Sequence, residues 1–239
     1  MSKRRIIIAL SIFFLVVLTR SLGVFYGVFD PLFYPIRGID ISHHQNHIDW
    51  NLLATGDTQF VYMKATEGND WLDNKFLHNW KESKNVNIPR GAYLFMTFCS
   101  PAQEQADFFI KNVDADQNDL PPVIDIEHRD CKDECCHNLP PNTEIHNRIQ
   151  IIKDALQKRY KKEPIIYTTP IFYWEHLREL EHSRYWVASW GIWPFWRPDW
   201  LVWQTTAGEW SWSNRNVKGF SGNVDRNVLR VPVSELINK

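Results

Sequence analysis

Apolar residues follow two rhythms along this chain, and for most of its length the two take turns. Short β-rich runs at residues 37–42, 59–65, 91–96, 121–128 and 164–168 read as strands. Between them lie stretches with helical spacing. Residues 48–53 form a short turn, residues 72–84 carry Phe76, Leu77 and Trp80, and residues 170–180 follow a proline start. Ser100-Pro101-Ala102-Gln103 predicts a capped helix, with Ser as N-cap, Pro first and Gln third, and a stripe of Ala102, Ala106, Phe109, Ile110 and Val113. Ile145, Ile149, Ile152 and Leu156 mark a further amphipathic helix. After residue 180 the alternation stops. Strands are predicted at 185–190, 201–205 and 222–226, joined by linkers holding Gly191, Pro194, Pro198, Gly208 and Gly219. The pattern is that of an α/β fold: a TIM-like barrel of five β/α units followed by three further β-strands. Eight strands is the number that closes a barrel filled by its own side chains.

The 121–128 stretch, Pro-Pro-Val-Ile-Asp-Ile-Glu-His, carries the candidate chemistry. Pro121 and Pro122 lack an amide hydrogen and suit a strand entrance. Alternation puts Val123, Asp125 and Glu127 on one face and Ile124 and Ile126 on the other. The isoleucines are predicted to pack under helices, leaving the two acids projecting together, roughly 6–7 Å apart at the backbone. Carboxyls that close raise each other's pKa and tend to leave one protonated near neutrality. An acid to protonate a leaving oxygen and a charge to support an oxocarbenium-like state are what glycoside hydrolysis requires. Taken alone, Asp-x-Glu at a strand end is more often a pair of solvated loop acids or a metal site. Asp40 ends the first predicted strand and is placed in the same way, because barrel sites collect at the C-terminal rim.

Composition narrows the partners. The chain has 239 residues and a net charge of −1, so it offers no basic footprint for nucleic acid. Its twelve Trp exceed ordinary usage; exposed aromatic faces suit sugar rings, and barrel filling explains any single one as well. Lys64 and Glu67 are expected to pair with each other, and His43 and His44 to be hydrogen-bonded loop residues.

Residues 1–23 read as a signal peptide or signal anchor, and 24–36 as a linker to a catalytic barrel at 37–239. Lys3, Arg4 and Arg5 precede an apolar run from Ile6 to Leu18 broken only by Ser11, which is short for a membrane span and suited to a signal. Ser21-Leu22-Gly23 is a small-x-small cleavage site, while apolar character resuming over 24–33 supports membrane attachment through an uncleaved leader. Either way the catalytic part is exported. Cys99, Cys131, Cys135 and Cys136 then suggest one or two disulfides pinning loops, the alternative being a metal site with His128 and His137.

Several segments, in order, resemble the family 25 glycoside hydrolases, the muramidase family. They are Gly38-Ile39-Asp40-Ile41-Ser42-His43-His44-Gln45, Ile48-Asp49-Trp50, Met63-Lys64-Ala65-Thr66-Glu67-Gly68, Gly91-Ala92-Tyr93, Asp125-Ile126-Glu127, Ile166-Tyr167-Thr168, Trp203-Gln204 and Val224-Asp225-Arg226-Asn227. The resemblance implies a barrel of five strand–helix units and three further strands. It implies an enzyme that cleaves the β-1,4 bond between N-acetylmuramic acid and N-acetylglucosamine in peptidoglycan glycan strands; a monomer with no cofactor and no metal is expected. Carried over by position, Glu127 would be the general acid/base. Asp125 would be nucleophile or helper of the substrate's own acetamide. Asp40 and Asp225 would line the pocket, and Tyr93, Tyr167, Trp190 and Gln204 would be sugar contacts. The segment from Cys131 to His137 is outside the family pattern, and Leu94 stands where a His is frequent in relatives.

Three rivals compete with that reading. Chitinases using Asp-x-Asp-x-Glu fail at the first acid, which here is Val123. A non-catalytic glycan-binding module on the same barrel would have lost Glu127 or Asp125, and both are present. A metal-dependent hydrolase would draw on Asp40, Asp125, His128 and cysteine.

Overall fold

The computed structural model describes residues 3–25, 34–128, 135, 138–180, 183–190, 193–197, 199–206 and 217–238. Cys131, Cys136, His137, Gly191, Pro198, Gly208 and residues 26–33 of the linker lie outside the described residues.

Strands β1 (Ile36–Ile41), β2 (Phe60–Glu67), β4 (Arg90–Phe95), β5 (Val123–Asp125), β6 (Ile165–Thr168), β7 (Arg184–Ala188) and β8 (Val202–Gln204) run parallel, each to the next. β9 (Asp225–Leu229) runs antiparallel to both β8 and β1 and closes the ring. A two-residue strand, β3 (Trp71–Leu72), hangs on the edge of β2. The ring has the eight strands expected of an α/β barrel.

Alternation sorts the side chains into two layers. Phe60, Tyr62, Val123, Ile165, Trp186 and Val202 fill the barrel interior. Ile39, Met63, Ile124, Ile126 and Ile166 face outward, where they meet residues of the covering helices such as Phe76, Phe109 and Ile149. These come from α3 (Phe76–Asn85), α4 (Ala102–Asn112) and α5 (Asn142–Tyr160), in order after α1 (Lys3–Phe25) and the short α2 (Trp50–Leu53). The aromatic interior leaves no room for a side chain at Gly91, where a Cβ would overlap the Tyr62 ring.

Local patterns and structure part company in several places. Trp71 and Leu72 pair with Glu67 and Thr66 rather than opening a helix. The helix expected to be capped by Ser100 starts after Pro101 with no side-chain cap. There Gln105 intervenes, its amide bonding both the Thr97 backbone and the Ser100 carbonyl. The 170–180 helix is a short α6 (Pro170–Phe172) running into a single π turn, Tyr173–Leu177. The last strand begins at Asp225, not at Gly222, because its register is set by pairing with β1. A C-terminal helix, α7 (Val233–Ile237), was not expected.

At the other end, Tyr34 packs edge-on to Trp200 and Trp203, so contact with the barrel begins before β1. Residues Lys3–Phe25 form the helix α1, with exposed apolar side chains such as Ile7 and Phe14. Among the described residues no helix is long and apolar enough to cross a membrane. A thirteen-residue apolar run rises only about 20 Å against a hydrocarbon core of about 30 Å. The membrane-attached alternative therefore gains no support.

Candidate active site

The site is assembled where parallel strands end, as in other barrels. Asp40 lies near the end of β1, Asp125 closes β5, Tyr167 is near the end of β6 and Gln204 closes β8. Asp225 enters from the start of the antiparallel β9. Together with Lys64, Tyr93, Glu127 and Trp186 they line one cleft of about 260 Å³. A second hollow of about 630 Å³ shares His44 and Lys64 with it and continues past Trp71 to Ser100, so the two make an elongated groove.

Asp40 is held by two side-chain amides. Asn227 Nδ2 donates to its Oδ2 at 2.7 Å, and Gln204 Nε2 donates to the same oxygen at 3.0 Å. Gln204 Oε1 in turn accepts from the Tyr167 hydroxyl at 2.9 Å and from Trp190 Nε1 at 3.0 Å. Burial raises the Asp40 carboxyl, and the two amide donors pull it back. Across the closing seam, the register of β1 and β9 places Asp40 directly opposite Asp225. Like charges facing each other across strands cost stability, so this pairing is not explained by sheet energetics.

Asp125 is held differently. It is buried, and its Oδ1 finds no hydrogen-bond partner among the described residues. Burial first, then the neighbouring Glu127 charge, holds its carboxyl well above the usual range, with Lys64 opposing. Glu127 is partly buried. Burial raises it to about 7, the Asp40 charge adds to the effect and Lys64 again opposes it. Both carboxyls are held above their ordinary range, and acids this strongly linked titrate as a pair. Burial and the surrounding carboxylates also keep Tyr93 and Tyr167 protonated.

The expected Lys64–Glu67 pair is present at 2.7 Å. Lys64 does more than pair, however. The β2–β4 ladder shifts register between Lys64 and Thr66, and such bulges re-aim side chains beside active sites. The ammonium sits over Phe95 and Trp71, 4.7 and 5.1 Å from the ring centroids, and faces the carboxylates from the cleft wall. His43 is the loop residue expected, bonded through its backbone and ring to Asp73 at 2.7 and 3.2 Å, while His44 lines the cleft.

All eight residues singled out from sequence come together. Seven line the cleft, and Trp190 stands half-exposed outside it, tied in through Gln204. Lys64, His44, Trp186 and Asn227 were not singled out as site residues. Alternation along 185–190 would have turned Trp186 inward; Asn227 closes the Val224–Asn227 segment of the resemblance, but its partner Asp40 is 187 positions away. Beside the cleft, Cys99 and Cys135 form a disulfide.

An eight-stranded barrel whose rim gathers four carboxylates around a sugar-sized cleft defines a glycosidase of the paired-acid type. The family model described as glycosyl hydrolases family 25 matches residues 39–219. Lysozyme M1 of Streptomyces globisporus is 32% identical over 216 residues, covering 84% of this chain and 70% of that protein. The crystal structure of the bacterial lysozyme from Streptomyces coelicolor superposes with a TM-score of 0.73 at 32% identity, over 84% of this chain and 95% of that one. A family 25 glycosyl hydrolase from Bacillus anthracis gives 0.75 at 31% identity, over 86% and 93%. The chain belongs to glycosyl hydrolase family 25.

Proposed function

We propose that this protein is a lysozyme that hydrolyses the β-1,4 bond between N-acetylmuramic acid and N-acetylglucosamine in peptidoglycan. One observation carries the reading: Asp40, Asp125, Glu127 and Asp225, drawn from three strands and a strand end, share a single cleft. Glu127, protonated near neutrality, donates to the leaving oxygen and then takes a proton from water. Asp125, buried against it, supplies the second carboxyl, as nucleophile or by orienting the substrate's acetamide. Asp40 and Asp225 hold negative potential around the developing cation. Lys64 keeps the acid cluster from becoming wholly protonated. Tyr93, Tyr167, Trp190 and Gln204 contact the sugars, with Trp190 presenting a flat exposed face at the rim.

The leader at 1–23 directs export, consistent with a wall substrate, and 37–239 is the catalytic barrel. A glycan-binding module without chemistry would not need two buried, mutually repelling acids, whose cost only catalysis justifies. Digestion of purified peptidoglycan by the full-length chain, with mass analysis of the fragments, tests the assignment. Fragments ending in reducing muramic acid are expected. Reducing glucosamine ends would mean the other glycosidic bond is cut, and intact glycan would leave the binding module.

A further inference from the structure

One group of ligand atoms remains outside this chemistry. His128 follows Glu127 where the chain leaves β5, and Glu175 and His176 lie side by side in the π turn. Such turns are rare and occur often at functional sites. His128 Nε2 is 2.8 Å from Glu175 Oε2, and His176 Nε2 is 3.8 Å from the same oxygen. The three residues each offer a ligand atom within 4.8 Å of the others. Donors bound to a tetrahedral zinc ion at about 2.0–2.1 Å sit about 3.3 Å apart. The observed spacings bracket that value, and small rotations of the exposed His128 and Glu175 side chains would equalise them.

The orientation of His176 is the second observation. The Asn142 amide is pinned, because its Nδ2 donates to the Glu175 carbonyl at 3.0 Å. Its Oδ1 therefore accepts, and His176 Nδ1 must carry the hydrogen donated to it at 2.8 Å. In the neutral ring His176 Nε2 is then the unprotonated nitrogen, 3.8 Å from the Glu175 carboxylate oxygen and available as a ligand. A ring nitrogen fixed by an amide or carbonyl behind it is how metal-bound histidines are set. His146 braces the turn from below, its Nε2 2.6 Å from the His176 carbonyl.

We propose that His128 Nε2, Glu175 Oε2 and His176 Nε2 form a binding site for a divalent first-row transition ion such as Zn²⁺, with one coordination position left open. The donor set of two imidazoles and one carboxylate suits that class rather than Ca²⁺ or Mg²⁺, which take oxygen ligands. The site stands apart from the glycosidase reading and departs from the expectation of no metal. It shares His128 with the alternative raised from sequence, whose His137 lies outside the described residues.

The test is titration of the full-length, disulfide-intact, chelator-stripped protein with Zn²⁺ alone, followed calorimetrically, and with Co²⁺ followed by visible absorption. One ion per chain is expected, with a cobalt spectrum lacking the thiolate charge-transfer band. His128→Ala and His176→Ala should each weaken binding at least about tenfold. Asn142→Ala, which removes no ligand atom, should weaken it about 10–100-fold, the usual cost of losing an outer partner. Thermal melts without metal identify any variant that fails to fold; His128, exposed and outside any strand, supplies the variant that keeps the test open. Absence of saturable uptake, a thiolate band, or affinities within twofold of the parent in all folded variants would overturn the proposal.

Discussion

Replacing Glu127 with Gln should inactivate the protein and stabilise it at the same time. Burial and the Asp40 charge raise the Glu127 carboxyl from its ordinary 4.5 to about 7. Below pH 4.5 the group is protonated in both folded and unfolded chains and costs nothing. Between 4.5 and 7 the unfolded chain ionises first while the fold retains the proton, so stability falls as pH rises through this window. Above about 7 the folded protein carries the whole penalty of a buried carboxylate. A rise of that size corresponds to about 3 kcal/mol, an upper figure for a side chain that borders open water. Gln keeps the shape and cannot ionise. Glu127→Gln should therefore gain up to about 3 kcal/mol at pH 8, or roughly 6–12 °C in Tm for a chain of this size, and nothing at pH 4. Loss of the proton donor should meanwhile cost about 10²–10⁴ in rate. Melts at the two pH values, run with chelator present, and release of soluble muropeptides measure both effects. A variant less stable than the parent at pH 8, or one whose rate stays within tenfold, would refute the reasoning.

Three further outcomes follow from the same geometry. Hydrolysis should fall as pH rises through about 7, where Glu127 gives up the proton it must donate, and fall again in acid as the second carboxyl of the pair is protonated; a flat profile from pH 4 to 8 would count against a carboxyl pair. Gly91→Ala should cost about 1–3 kcal/mol of stability and lower the urea midpoint accordingly, because the new methyl meets the Tyr62 ring; an unchanged midpoint would mean the interior has slack. Gln204→Ala should destabilise by about 1–3 kcal/mol, since the buried Tyr167 hydroxyl loses its acceptor and Asp40 loses a donor, and should reduce the rate as well; equal stability with full activity would show that the Gln204 bonds hold nothing in place.

What local pattern could reveal, and what it could not, divides along physical lines. Ile124 and Ile126 outward with Val123 and Asp125 inward is a period-two statement about neighbours in sequence, and the structure obeys it. The helix start at Ser100 is an equally local pattern, and there the structure departs from it: no side chain caps the helix, while Gln105 reaches back to the Ser100 carbonyl and the Thr97 backbone. The amide network around Asp40 is beyond any window: Gln204 and Asn227 reach it from 164 and 187 positions away, across the seam where β9 closes the barrel. That seam also explains the misplaced last strand. The strand starts at Asp225, three residues later than its apolar pattern suggested, and its pairing with β1 sets Asp225 opposite Asp40, an acid facing an acid, which costs sheet stability. Where a chain breaks its own local rules with no structural gain, the compensation is to be sought in function. Here the broken rules, the β2 bulge at Lys64, the orphaned Asp125 oxygen and the paired acids of the seam, all border the same cleft.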